Sequence, residues 1–154
     1  TTEYTGSMIV PVLPLLSFEQ AATPARIVKQ GAEILQKNNS KQLIPVSKAL
    51  SKRVSLDAFY LTITDDSMEP ELKMGDLILI NTQPELAPGD YVLVVLPKQK
   101  NPVIRKYREL GLNKKNNMTY ELVSLNNDWP NITIDNEKAK AKILGTVAEL
   151  RRQV

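Results

Sequence analysis

Neither cysteine nor histidine occurs in the 154 residues. The first absence excludes disulfides, thiol catalysis and cysteine-bound zinc, and it suits a reducing cytosol, so a cytoplasmic protein is expected. The second excludes a Ser-His-Asp triad and every histidine-ligated metal centre. Carboxylates alone would then have to hold a transition metal, and no cluster of Asp and Glu has a suitable spacing, so neither metal nor cofactor is expected. Long apolar runs are also missing, which excludes a membrane-spanning helix, and there is no secretory leader pattern. Aromatic residues make up only 5% and are not interleaved with the scattered Lys and Arg, so the net charge of +3 reads as solvated surface rather than a nucleic-acid face. The first residue is Thr1 and not Met, so the chain is read as a processed or truncated piece.

What is present suffices for one domain with a real core, since 42% of the residues are hydrophobic. The organising stretch is Ala58–Asp76. Phe59, Leu61 and Ile63 alternate with Tyr60, Thr62 and Thr64, a period of two that predicts a strand. The strand runs into Asp65-Asp66-Ser67-Met68-Glu69-Pro70, and a second strand, Leu77–Ile80, follows the turn pair Gly75-Asp76. A serine at a strand end, just before a short turn, is presented and suits a nucleophile. Asp66 or Ser67 equally suits the cap of one helical turn, with Glu69 near the far side of a capping box. Without histidine, a nucleophilic Ser67 needs another base, and lysine is the recurring alternative.

Around this stretch, Ile9–Phe18 is apolar but interrupted by Pro11 and Pro14, which predicts an edge or an extended arm. Glu19–Pro24 has little reason to be rigid. Ala25–Lys37 carries Ile27, Val28, Ala32, Ile34 and Leu35 near one helical face, and Asn38-Asn39 ends it. Ser40–Asp57 is polar and mixed, apart from Leu43–Val46, and reads as a covering loop. Tyr91–Leu96, Val103–Leu110, Tyr120–Leu125, Ile132–Ile134 and Ile143–Leu150 read as further strands joined by short turns. The expected fold class is mostly β, curled or barrel-like, with one short early helix.

These residues carry a resemblance. The Ala58–Pro70 strand ending in a Ser-Met pair, the Gly-Asp strand Met74–Ile80, the Pro-Gly-Asp strand Ala87–Val95, the strand Val103–Leu110 and the Leu122–Ile132 element LVSLNNDWPNI resemble the C-terminal domain of LexA and lambda-type phage repressors. That domain is a self-cleaving Ser–Lys peptidase fold, similar to signal peptidases. Pro14–Ala22 is similar to the segment that holds the family's scissile Ala-Gly bond. The resemblance implies an arm at residues 1–24, a peptidase-fold domain at 25–154, and a helix-turn-helix domain upstream of this chain. It implies that Ser67 attacks the arm between Ala21 and Ala22 once a buried lysine has become neutral. It further implies a homodimer formed through strand surface that includes Ile143–Leu150, DNA bound through the upstream domain, a RecA filament as co-protease in an SOS response, and no membrane.

Two positions depart from the pattern. Ala22 stands where the family has glycine, and the added methyl obstructs a sharp turn at the attacked bond. In Val103-Ile104-Arg105-Lys106-Tyr107 the pattern places Arg105, not Lys106, on the catalytic lysine, and arginine cannot be deprotonated in a protein. A slip of one residue gives the role to Lys106 but turns its side chain to the opposite face. Val103 and Tyr107 share a face with Arg105, which favours Arg105. Three readings follow: the dimerising regulatory domain of a prophage-type repressor with impaired self-cleavage; an active Ser67–Lys106 autopeptidase; or a relative resembling the UmuD-type polymerase accessory subunit.

Overall fold

The computed structural model describes residues 11–22, 42–83, 85–135 and 140–154. Along these run β1 (Val12–Pro14), a helical turn α1 (Phe18–Ala21), β2 (Leu43–Pro45), a second helical turn α2 (Lys48–Ser51), β3 (Phe59–Thr62), β4 (Leu77–Asn81), β5 (Tyr91–Val95), β6 (Val103–Leu112), β7 (Met118–Val123), β8 (Ile132–Ile134) and β9 (Lys142–Arg151). The fold is mostly β, as expected.

The alternation of Ala58–Thr64 produces β3, which pairs antiparallel with β4, Phe59 opposite Ile80 and Thr62 opposite Leu77. A seven-stranded sheet follows in the order β3-β4-β9-β5-β6-β7-β8, every neighbouring pair antiparallel. The last strand closes the middle. Its first half, Lys142–Thr146, pairs with β5, and its second half, Thr146–Arg151, pairs with β4. Both ladders carry a register shift near this changeover, which bends the strand and curls the sheet. Gly145 is required there: a Cβ would sit 2.4 Å from the Asn81 carbonyl oxygen and 2.7 Å from Ile80 Cγ2.

Both faces of the β3–β4 pair are covered. Phe59, Leu61, Ile78 and Ile80 pack with Met68, Leu72, Leu93, Ile104 and Leu144, while Tyr60 and Leu79 pack with Ile44, Val46 and Ala58. This double burial is why Leu77–Ile80 is a continuous apolar run rather than an alternating one. Val92, Val94, Tyr107, Tyr120, Leu122 and Ile134 form a third cluster under the far strands.

The N-terminal segments differ from the expectations. Leu43–Pro45 is not loop: it pairs with β1, Leu13 opposite Ile44, in a separate two-stranded sheet. Ser47 then caps α2 by accepting the Leu50 N–H at 3.1 Å. The physical reason is the apolar patch itself, since Ile44 and Val46 bury against Tyr60 and Leu79. Glu19–Ala22 is not loose either. Ser17 and Gln20 form a reciprocal capping box on α1, and Ala21 is fully buried in the main core. The helix expected at Ala25–Lys37 lies outside the described residues. Among the described residues, no helix is long and apolar enough to cross a membrane.

The Gly75-Asp76 turn is a fastening as well as punctuation. Buried Asp76 accepts the Lys73 N–H at 2.7 Å, and Arg152 grips both its oxygens at 2.8 and 2.6 Å. The hydrogen-bonded Arg152 guanidinium holds the Asp76 carboxyl below the usual carboxylate range, against the effect of burial.

Candidate active site

Ser67 is delivered by the end of β3. The ladder to β4 continues past the strand, Ile63 donating to the Asp76 carbonyl at 2.8 Å and Gly75 donating back to Ile63 at 2.9 Å, before the chain turns at Asp65. The side chain that caps the turn is Asp65, not Asp66, Ser67 or a capping box through Glu69. Asp65 Oδ1 accepts the Ser67 N–H at 3.0 Å and the Ser67 hydroxyl at 2.6 Å, the geometry by which an aspartate folds the backbone two residues on. Met68 and Leu72, both buried in the main core, anchor the far side.

The Leu125–Pro130 loop clamps the same turn from above. Asn126 donates its backbone N–H to the Ser67 carbonyl at 3.0 Å and its amide to the Asp66 carbonyl at 3.1 Å. Trp129 Nε1 donates to Asp66 Oδ1 at 2.9 Å. Asp66 therefore serves the loop while Asp65 serves the serine.

On β6, Arg105 stands opposite Val92 of β5, and Lys106 stands opposite Tyr91 on one side and Val123 on the other. Successive strand residues point to opposite faces, so the two cations part company. The ladder to β7 begins at Lys106, which leaves the β7-side edge of Val103–Arg105 without a strand partner among the described residues. Arg105 is the cation that meets Ser67. Its Nη1 donates to the Ile104 carbonyl at 2.7 Å and to Ser67 Oγ at 3.0 Å. Arg105 and Ser67 are only 4% and 2% exposed. The guanidinium carbon lies 5.6 Å from the centre of the Trp129 ring, close enough for a cation–π contact. Arg105 Nε is buried without a hydrogen-bond acceptor among the described residues. Burial draws the Arg105 pKa down, and the negative charge of Asp65 opposes it. The group remains a cation, since a guanidinium does not lose its proton in a protein.

The structure thus brings Ser67 and Arg105 together. Lys106 is half-buried in a separate groove beside Pro88, Gly89 and Leu125, and makes no hydrogen bond to Ser67. Ala21 is packed in the same core as Ile63 and Met68, and the Ala21 and Ala22 N–H groups are used within the α1 turn. The arm residue that reaches the site is Phe18. With Ile63, Asp65, Met68 and Ile104 it lines a cleft of about 210 Å³ that opens onto Ser67. Asp65 and Trp129 were not singled out from the sequence. The doubled acid before Ser67 and the chain's one tryptophan were the available signals. Among the described residues, no group of three or more Asp and Glu could hold a metal ion.

A serine between a carboxylate and a buried cation, at the mouth of a cleft, is the arrangement of a nucleophile whose proton has an acceptor. Residues 25–148 match the Peptidase S24-like family. LexA repressors of Staphylococcus aureus strains Newman, Mu3 / ATCC 700698 and N315 are each 27% identical to the chain over 124 residues, which is 80% of this chain and 56% of theirs. The chain spans little more than half the length of these relatives. With the match reaching into β9 and taking in both Ser67 and Arg105, the chain belongs to the Peptidase S24-like family.

Proposed function

We propose that this chain is the dimerising regulatory domain of a prophage-type transcriptional repressor whose self-cleavage is impaired. The observation that carries the proposal is Arg105 Nη1 at 3.0 Å from Ser67 Oγ. A lysine in that position could shed its proton and act as base, whereas arginine supplies only a fixed positive charge. Burial of Ala21 and the methyl of Ala22 support the same reading, because the bond that would be cut is enclosed in the α1 turn. The similarity to LexA repressors supports a role in transcription, with DNA bound by a helix-turn-helix upstream of this chain.

Strand β9 supports the dimer. Val147–Arg151 has β4 on one side and, among the described residues, no strand on the β5 side, and Leu150 is 41% exposed beside that edge. A two-fold pairing of such edges closes on itself, as most homo-oligomers do. Sedimentation should give a dimer at micromolar concentration, and Leu150→Lys should shift it to monomer. In the cleavage assay, wild-type chain at about pH 10, with or without a RecA filament, should keep its full 17.2 kDa mass. A cut between Ala21 and Ala22 that vanishes in Ser67→Ala would overturn the impaired-cleavage reading.

A further inference from the structure

Ser67 Oγ lies between groups of opposite charge. It donates its proton to Asp65 Oδ1 at 2.6 Å, a short bond of the kind made to a charged acceptor, and it receives Arg105 Nη1 at 3.0 Å. Asp65 and Ser67 both line the same cleft, whose walls are largely apolar through Phe18, Ile63, Met68 and Ile104. A small acyl group entering there meets the hydroxyl and the carboxylate together. The two contacts divide the tasks of nucleophile activation: the carboxylate takes the proton, and the guanidinium stabilises the negative charge that appears on Oγ as the proton leaves.

We propose that Asp65 is the general base for Ser67, and that the site takes up acyl groups from small esters with good leaving groups. In the step, the Ser67 Oγ–H proton passes to Asp65 Oδ1 as Oγ bonds to the ester carbonyl carbon. The carbonyl–leaving-group C–O bond then breaks, and the leaving group departs as a phenolate or similarly stable anion with the bonding electron pair. The product is an ester on Ser67, and Asp65 returns its proton to water. Amides are excluded by basicity. A carboxylate is a weak base, so its assistance suffices only when the leaving group is itself stable as an anion. This activity is compatible with an uncleaved arm and does not depend on the repressor reading, which stands or falls by the Ala21–Ala22 assay.

The test uses the chain as it is, with p-nitrophenyl acetate as acyl donor and peptide mass spectrometry as readout. One acetyl group is expected on the peptide containing Ser67, absent from Ser67→Ala. Asp65→Asn should slow that acetylation about 100-fold, the lower range of general-base contributions. The asparagine oxygen still accepts the Ser67 N–H and hydroxyl, so a merely structural role for Asp65 would leave the rate unchanged. Among the described residues, the charged groups hydrogen-bonded to Ser67 are Asp65 and Arg105, with Asp66 turned to Trp129. The wild-type acetylation should run slower in D2O than in H2O, because the Ser67 proton moves to Asp65 as Oγ bonds to the carbonyl carbon. If Asp65→Asn does not fold, that comparison decides, because equal rates in the two solvents overturn the proposal. Acetylation of Asp65→Asn at the wild-type rate, or none on wild-type Ser67, also overturns it.

Discussion

Trp129 lies across the guanidinium of Arg105, 5.6 Å from ring centre to Cζ, while its indole N–H reaches Asp66 at 2.9 Å. One side chain thereby fixes the cation and the turn that presents the serine. The contact also bears on the cost of Arg105. A buried guanidinium with one nitrogen unsatisfied is expensive, and among the described residues no carboxylate bonds it directly. The aromatic face and the nearby charge of Asp65 offset part of that cost.

The chain's one tryptophan therefore reports on the site. Arg105→Lys should change the intrinsic fluorescence measurably with the fold intact, because an ammonium does not stack on the indole as a planar guanidinium does. Trp129→Phe removes the bond to Asp66 and keeps an aromatic face, and it should cost about 1–2 kcal/mol in urea unfolding followed by circular dichroism. A stability equal to wild type would show that the loop does not hold the turn.

Gly145 makes a second, purely steric prediction. The strand changes partners where the backbone of β4 is closest, and the obstructing atom is a carbonyl oxygen, not a flexible side chain. Gly145→Ala should destabilise the domain by about 1–3 kcal/mol, the usual cost of forcing bulk into a packed site. Glycine is a weak β-former, so an alanine that raised the melting temperature would mean that β9 does not approach β4 this closely.

Much of the fold was legible because the signals were local. The alternation at Phe59–Thr64 and the turn pairs Gly75-Asp76 and Gly89-Asp90 mark strand boundaries by backbone chemistry alone. The segment Leu43–Pro45 was not legible as a strand, since three residues carry no periodicity and its partner lies far away in sequence. The site divides in the same way. Opposite facing of neighbouring strand residues separates Arg105 from Lys106, but Asp65 was hidden by Asp66. Only the three-dimensional turn distributes the two adjacent acids between the serine and the tryptophan.

The Asp76–Arg152 pair predicts how stability depends on pH. Asp76 has its folded-state pKa depressed, chiefly by the Arg152 hydrogen bonds. A group of this kind adds stability above the unfolded aspartate value, about 3.9, and loses it as the pH falls through the lower folded value. Arg152→Gln should therefore lower the melting temperature at pH 7. The gap from wild type should narrow on acidification below about pH 4. A gap that stayed constant down to pH 2 would mean that the pair acts through packing and not through charge.

The last prediction concerns supplying a base strong enough to cut an amide. Arg105→Lys would place an amine on the strand position that already reaches Ser67, in surroundings that are nearly dry. Desolvation favours the neutral amine, while the negative charge of Asp65 favours the ammonium, so a mildly alkaline requirement is expected. The arm is a second obstacle, because Ala21 must leave the core and the Ala22 methyl must pass a sharp turn. Arg105→Lys combined with Ala22→Gly should accordingly cut between residues 21 and 22, with a rate that rises with pH, and Arg105→Lys alone should be slower. Adding Ser67→Ala should abolish the cut, and adding Lys106→Ala should leave it unchanged, since Lys106 faces another groove. Intact mass over an alkaline time course measures all four variants together. If the double variant stays whole while its fluorescence confirms an altered site, the enclosed arm and not the base sets the block. If Lys106→Ala stops the cut, the base is Lys106, and the assignment of Arg105 to the lysine position fails.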